Sequence, residues 1–361
     1  MKKVRSILFK MELKGNGVVN FDSNDQKYLW NENTKGTGQE RVNHNNVSFA
    51  KKRWYKNDDG TIDKKLIVSS NCLRYSIFSD DTLFQSPNII NNSFLLNSMI
   101  ATPGLICRGY MFAEKDPSKS YKRSSVLNIT DAEQINNSIS TLETFSRSGE
   151  KIVDENKSDT SFFKKETVGN IVYEAIGSID MMQIQFVSCD QLFDRMALNP
   201  DIFPDYKKFL STKLPNFNSE LSYYQIKGSA IELPEYGFML SNENVIFLVK
   251  DLFTKMLNLK IRKASAFAEV SSIKYKIVND PFEDKFSDED GWLELNKNVI
   301  ETLNFDNEDF YEKYDFDAAK SLRLELEDAA KARKDANKDA ANLKKEEAKS
   351  KKEKKVEETE E

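Results

Sequence analysis

Ile67-Val68-Ser69-Ser70-Asn71-Cys72-Leu73-Arg74-Tyr75-Ser76-Ile77-Phe78 changes its hydrophobic period part-way along. Leu66-Ile67-Val68 is an apolar run of strand type, and Ser69-Ser70-Asn71 supplies the short polar side chains that satisfy the unpaired N–H groups at a helix start. Cys72, Leu73, Ser76 and Ile77 then fall on one face at helical spacing. The stretch predicts a strand, a polar turn and a helix capped by Ser70 or Asn71.

The same mixture of periods continues in both directions. Upstream, Ile7, Phe9, Met11 and Leu13 alternate with Leu8, Lys10, Glu12 and Lys14 before Gly15-Asn16-Gly17, so the chain begins with a strand. Residues 20–63 hold Asn, Gly, Lys and isolated aromatics and predict a loop or projecting hairpin. Downstream, an apolar segment from Ile89 to Ile100 precedes Pro103-Gly104 and Leu105-Ile106-Cys107-Arg108-Gly109-Tyr110-Met111-Phe112, which reads as a strand. Residues 114–168 are polar and predict an inserted excursion with weak strands at best. Met182, Ile184 and Phe186 alternate as in a strand, and Asp190 to Leu198 suits a short helix. Residues 203–240 mix Pro, Gly and aromatics and suit another hairpin. Asn242 to Leu259 is the clearest helix, with Val245, Leu248, Val249, Leu252, Phe253 and Met256 in one stripe, and Ser271 to Val278 closes the series as a strand. Strands interleaved with helices predict an α+β fold: an RRM or ferredoxin-like antiparallel sheet with its helices on one face. The domain spans residues 1–316, with insertions at 20–63, 114–168 and 203–240 and an acidic segment at 280–316. Residues 317–361 form a charged tail, helical and fraying toward its end.

Composition excludes several classes of chemistry. A chain of 361 residues with 39% hydrophobic content buries a sizeable core, and no apolar run reaches the roughly 20 residues of a membrane span. A cytoplasmic protein is expected. Cys72, Cys107 and Cys189 lack CxxC spacing, so no zinc site or disulfide framework is indicated. The single histidine, His44, lies in a polar loop-like stretch and offers no paired acid–base scheme. Asp288, Glu289 and Asp290 are adjacent acids in a polar loop and read as solvated. No dinucleotide or P-loop pattern follows any glycine pair. The sequence therefore gives no catalytic residue, no metal and no cofactor.

Charge is uneven along the chain. The net charge is -5, yet residues 280–316 hold 13 acidic and 3 basic side chains, while residues 41–123 hold 13 basic and 7 acidic ones. Basic residues in that block interleave with aromatics in Lys51-Lys52-Arg53-Trp54-Tyr55-Lys56 and in Tyr121-Lys122-Arg123-Ser124-Ser125. Cations neutralise phosphates while aromatic faces stack on unpaired bases, so this pattern suits single-stranded RNA. The candidate RNA-binding residues are Lys51, Lys52, Arg53, Arg74, Arg108, Lys122 and Arg123, with Trp54 and Tyr55 as stacking groups.

The stretch from Ile67 to Phe78, the segment Leu105 to Phe112 and the opening strand Ser6 to Lys14 with its glycine turn resemble RAMP-superfamily proteins. The resemblance is to the repeated backbone subunit of type I CRISPR surveillance (Cascade) complexes, and most of all to the compact type I-F variant group. It covers the first third of the chain in sequence and extends in topology to the strand near residue 278. It implies a non-catalytic, hand-shaped subunit whose RRM-like palm oligomerises along a CRISPR RNA and presents the guide to a target DNA strand. Further copies of the chain and other effector-complex subunits are then its partners, and no membrane is. Two other readings remain at this point: a type III-like RAMP endoribonuclease using Asp22 or Asp25, and a non-CRISPR RNA-binding module.

Overall fold

The computed structural model describes residues 3–22, 24–31, 36–43, 47–79, 102–112, 121–149, 159–190, 196–229, 233–263, 266–279, 286–287, 289–305 and 308–325, with single positions at 328 and 332. His44, Asp288, the apolar segment 89–100 and nearly all of the tail fall outside these residues. So does most of the helix expected from Asp190 to Leu198, of which Met196, Ala197 and Leu198 are buried and non-helical.

A nine-stranded antiparallel sheet forms the centre. Its strands are β1 (Ser6–Asn16), β2 (Lys52–Lys56), β3 (Ile62–Val68), β4 (Leu127–Ile129), β5 (Ala132–Gln134), β6 (Asn170–Asp180), β7 (Lys260–Lys263), β8 (Ala266–Val278) and β9 (Leu293–Glu294). The order is β7-β8-β1-β6-β5-β3-β2, with β4 also on β6 and β9 on β8. The alternation read in β1 explains its central place. Ile7, Phe9, Met11 and Leu13 are fully buried, and Ile7, Phe9 and Met11 sit opposite Ile179, Gly177 and Ala175 on one side and Ile277, Tyr275 and Ile273 on the other. Their partners share their face, because side chains in a strand alternate. Gly177 is required here, since a Cβ would stand 2.2 Å from the Asn128 carbonyl oxygen and 2.3 Å from the Phe9 ring.

Helices cover that face. α1 (Ser70–Ile77) starts one residue earlier than its capping pattern predicts, with the Ser69 hydroxyl accepting from the Cys72 N–H, and it buries Leu73 and Ile77. α2 (Pro103–Arg108) replaces the strand expected at residues 105–108. Thr102 caps it and Pro103 pre-sets its first turn. Gly109 ends it at φ 75°, where a Cβ would meet the Arg123 carbonyl oxygen at 2.4 Å. α3 (Met181–Gln185) likewise replaces an expected strand, because Asp180 caps the Gln183 N–H and turns the chain straight out of β6. After α4 (Phe203–Ser211), α5 (Asn242–Leu257) runs where its stripe predicts and buries Val245, Leu248, Val249, Leu252, Phe253 and Met256. Each such side chain contributes about 2 kcal/mol by burial, so this helix anchors the core.

The excursions are more ordered than their polarity suggests. Residues 114–168 supply β4 and β5 to the main sheet, then a hairpin of two ten-residue strands, Ser140–Gly149 and Asp159–Val168. Asn24–Asn31 pairs with Gly36–Asn43 as a second hairpin. Residues 203–240 begin with α4 and continue into a smaller sheet ordered Phe186–Ser188, Glu235–Met239, Ser222–Ile226, Tyr311–Lys313. The acidic segment is part of the body: α6 (Lys297–Thr302) packs on α5, and Leu295, Ile300, Leu303, Phe305 and Phe310 join the core. Buried Gln185 holds it, accepting from the Phe310 N–H at 2.8 Å and donating to Asp309 at 2.8 Å. Residues 316–325 form a helix, α7, and the beginning of the expected tail is therefore docked. Ala319 is fully buried, and Arg323 makes a bidentate pair with Asp190, itself 3% exposed.

Candidate nucleic-acid interface

The hairpin β2–β3 carries the basic–aromatic run, and alternation divides it between two faces. Lys52, Trp54 and Lys56 stand opposite Leu66, Lys64 and Ile62. Leu66 is in the core, so this is the helix-covered side of the sheet, beyond the reach of the helices at the tip. Here the Lys64 ammonium lies 4.0 Å over the Trp54 ring, and Lys56 is exposed. Lys52 is taken by the buried carboxylate of Glu166. Trp54, Lys56 and Lys64 therefore form a partly exposed aromatic between two cations, the chemistry that receives an unpaired base and its phosphates.

Arg53, Tyr55 and Lys65 occupy the other face, where Arg53 is neutralised by carboxylates and the Lys65 ammonium lies 5.1 Å from the centre of the Tyr55 ring. Arg53 reaches Asp131 at 2.5 Å and Glu133 at 3.0 Å, and the second oxygen of Asp131 accepts from the Ser70 N–H at 2.8 Å. Arg53 thus braces β2 to the start of α1. Burial, helped by the Glu133 carboxylate, pushes the Tyr55 hydroxyl up to about 12, so it stays a neutral donor at any physiological pH. Lys51, just before β2, uses its backbone to join Asn20 to Ile67 and leaves a half-buried side chain.

The remaining predicted residues separate in the same way. Arg123 is 7% exposed, and its guanidinium donates to the carbonyls of Ile106 at 2.9 Å, Phe186 at 3.1 Å and Gln183 at 2.8 Å. It ties α2, α3 and the small sheet together and has no edge left for RNA. Lys122 is exposed at the rim of a cleft of about 600 Å³ lined by Ser124, Gln183, Phe186, Tyr224, Glu235 and Tyr311. Phe186 stacks on Tyr311 with centroids 4.8 Å apart and meets Tyr224 edge-on at 5.8 Å. Arg74 on α1 and Arg108 at the end of α2 are half-buried, and the Arg74 Nε lacks a hydrogen-bond partner among the described residues. The structure therefore does not gather the nine residues at one point. Lys64 was missed, and its signal was available: it stands in the second strand of a hairpin whose first strand was already a candidate.

Among the described residues no group of His, Cys, Asp or Glu has metal-binding geometry. Asp22 and Asp25 pair through their backbones with Phe49 and Val42, their side chains being outside the described residues. Cys107 and Cys189 are buried and outside any disulfide among the described residues, and burial raises the Cys72 thiol above its ordinary range. No described helix is long and apolar enough to cross a membrane.

An antiparallel sheet with helices on one face and a basic–aromatic hairpin at its edge defines an α+β protein with a surface suited to single-stranded nucleic acid. Residues 3–285 match the family model of the type I-Fv CRISPR-associated protein Cas7fv-like. The chain belongs to that family, and with it to the backbone subunits of type I CRISPR complexes. Two solved structures are similar at low identity. One titled "CRISPR RNA-guided surveillance complex" has 10% identity and a TM-score of 0.35, covering 91% of this chain and 84% of that chain. Another, titled "CRISPR RNA-guided surveillance complex, pre-nicking", has 8% identity and a TM-score of 0.35, covering 79% and 82%. No curated protein sequence gives a significant match.

Proposed function

We propose that the chain is the CRISPR RNA-binding backbone subunit of a type I surveillance complex, and that it works without catalysis. Copies line up along the guide and hold it for pairing with a target DNA strand, beside the other subunits of the effector. Family membership over residues 3–285 is the observation that carries this reading. The sheet supports an RRM-like core: β8, β1, β6 and β5 lie side by side, with α1 between β1 and β5 in the chain and α5 between β6 and β8. That is the order of a βαββαβ unit with long insertions. The described residues up to 325 then act as one body, with residues 316–325 docked through Ala319 and Arg323. Within the family reading, RNA contacts fall to Trp54, Lys56 and Lys64 on the hairpin and to Lys122 at the cleft, with Arg74 and Arg108 facing the guide. Lys51, Lys52, Arg53 and Arg123 hold these groups in place. The cytoplasm is the compartment such a complex requires.

The test is assembly on RNA. Head-to-tail contacts that do not close make a filament whose length only the RNA limits. Native mass measured on two or three RNA lengths is expected to rise in steps, each adding one protein copy and one fixed footprint of nucleotides. A single closed oligomer, identical with and without RNA, overturns the reading. Incubation with complementary RNA and Mg²⁺ is expected to leave that RNA intact; regularly spaced cuts lost in Asp22→Ala or Asp25→Ala identify an endoribonuclease instead.

A further inference from the structure

The face of the nine-stranded sheet turned away from the helices is built from the other half of each alternation. On β1 it presents Leu8, Lys10 and Glu12, and the register sets Lys276 opposite Leu8 and Lys274 opposite Lys10 on β8. β9 continues the sheet from β8, with Glu294 opposite Lys274 and Leu293 opposite Tyr275. Tyr275 points to the core, where its ring lies 5.8 Å from Phe253. Residues 292 and 294 therefore share the helix-free face with Lys274 and Lys276. The contacts agree: the Lys10 ammonium lies 4.6 Å from the centre of the Trp292 ring, and a Cβ on Gly291 would stand 3.6 Å from the Lys276 side chain.

This corner combines three cations with a half-buried indole on a rigid support. Lys274 is exposed and Lys10 and Lys276 are half-buried. None of the three forms an ion pair among the described residues. The carboxylate directly opposite these cations is Glu294, which is exposed; further along the same face lie Glu12, which accepts from the Ser271 hydroxyl at 2.6 Å and pairs with Lys14 at 3.3 Å, exposed Glu174 opposite Glu12, Glu269 beside Lys260, and Glu133 beside Arg53. Ser271 and Lys14 also hold the Glu12 carboxyl below its ordinary range. At the corner itself three ammonium groups surround one indole with Glu294 as the single directly opposed carboxylate, and cations beside an aromatic ring are the combination that binds a polyanion bearing flat bases.

We infer that Trp292, Lys10, Lys274 and Lys276 form a second contact for a single-stranded polynucleotide, with a base on the indole and phosphates on the three ammonium groups. This rests on the nucleic-acid-binding reading above but uses a different face, and Trp292 lies beyond the residues matched to the family. The site takes either the guide or the strand that pairs with it.

The chain has three tryptophans, Trp30, Trp54 and Trp292, so two single-tryptophan proteins report the two surfaces separately. In the Trp30→Phe/Trp54→Phe protein, a 12-nucleotide RNA or DNA of mixed sequence is expected to quench Trp292 emission saturably. Adding Lys274→Glu/Lys276→Glu, on exposed or half-exposed positions, is expected to raise the half-saturating concentration roughly tenfold. Circular dichroism of each protein confirms the fold, and Lys10→Gln gives a second, milder variant in which a smaller rise is expected. Quenching by RNA alone assigns the platform to the guide, and quenching that appears only when complementary DNA is added to the RNA-bound protein assigns it to the pairing strand. Unchanged Trp292 emission under every condition, while Trp54 in the Trp30→Phe/Trp292→Phe protein is quenched, overturns the platform and leaves the proposed function standing. Quenching of neither overturns both.

Discussion

Lys52–Lys56 and Tyr121–Arg123 are both short basic strands with an aromatic inside, and they use their charge in opposite ways. In Lys52–Lys56 the strand is the outer half of an edge hairpin, so Arg53 and Lys56 are exposed and the cations are shared between carboxylates and rings. In Tyr121–Arg123 alternation leaves Lys122 exposed and turns Arg123 inward, where it spends its whole guanidinium on three carbonyls. A positive residue thus serves as a ligand contact or as a strut according to how many protein oxygens lie within its reach. The density of charge along the sequence does not separate these uses.

The contrast is sharpest at Arg123. Arg123→Ala leaves buried carbonyls without donors and is expected to cost on the order of 4 kcal/mol of stability, seen as a lower urea midpoint. If that midpoint is unmoved, Arg123 is not a strut and returns to the list of RNA contacts. Next comes Trp54→Ala, which removes a partly exposed ring and is expected to weaken RNA binding roughly tenfold with little change in melting temperature. A large loss of stability with unchanged affinity would reverse the roles assigned to the two strands. Lys56→Ala/Lys64→Ala is expected to lower the slope of log K against log salt by about 1.4, for two phosphate contacts on a single strand. The smallest effect belongs to Arg53→Ala: its exposed pairs with Asp131 and Glu133 predict a change of less than about 1 kcal/mol in stability and an unaltered salt slope. A salt slope that falls in Arg53→Ala would place RNA on the braced face as well.

Long periodic elements were legible in the sequence, and short ones were not. β1 and α5 follow from their alternation and stripe because eleven and sixteen residues repeat a period several times. The runs at Leu105 and Met182 are too short to distinguish the two periods. In both, the cap decides: Thr102-Pro103 before one helix and Asp180 before the other. The excursion over residues 114–168 was under-read for a different reason. Ser140–Gly149 and Asp159–Val168 are held by ladder hydrogen bonds, residues 141–144 are exposed, and composition does not report register. The acidic segment concealed its role because Leu295, Ile300, Leu303, Phe305 and Phe310 are spaced among thirteen acids and dock one by one. Of the candidate site, the residue types and their strand were readable. Which of them meet carboxylates depended on Asp131, Glu133 and Glu166, which are far away in the chain.

The pair between Asp190 and Arg323 spans 133 residues. Asp190 lies just past Phe186–Ser188, an edge strand of the small sheet, and accepts from the Tyr236 N–H; the opposite edge strand, Tyr311–Lys313, comes from late in the chain. During synthesis at about 5–20 residues per second, the carboxylate precedes its partner by roughly ten seconds. Over that interval the nascent chain keeps the Asp190 carboxylate hydrated, since a bare buried charge is too costly to keep. The N-terminal part of the molecule is therefore complete as a scaffold before it is complete as a sealed body.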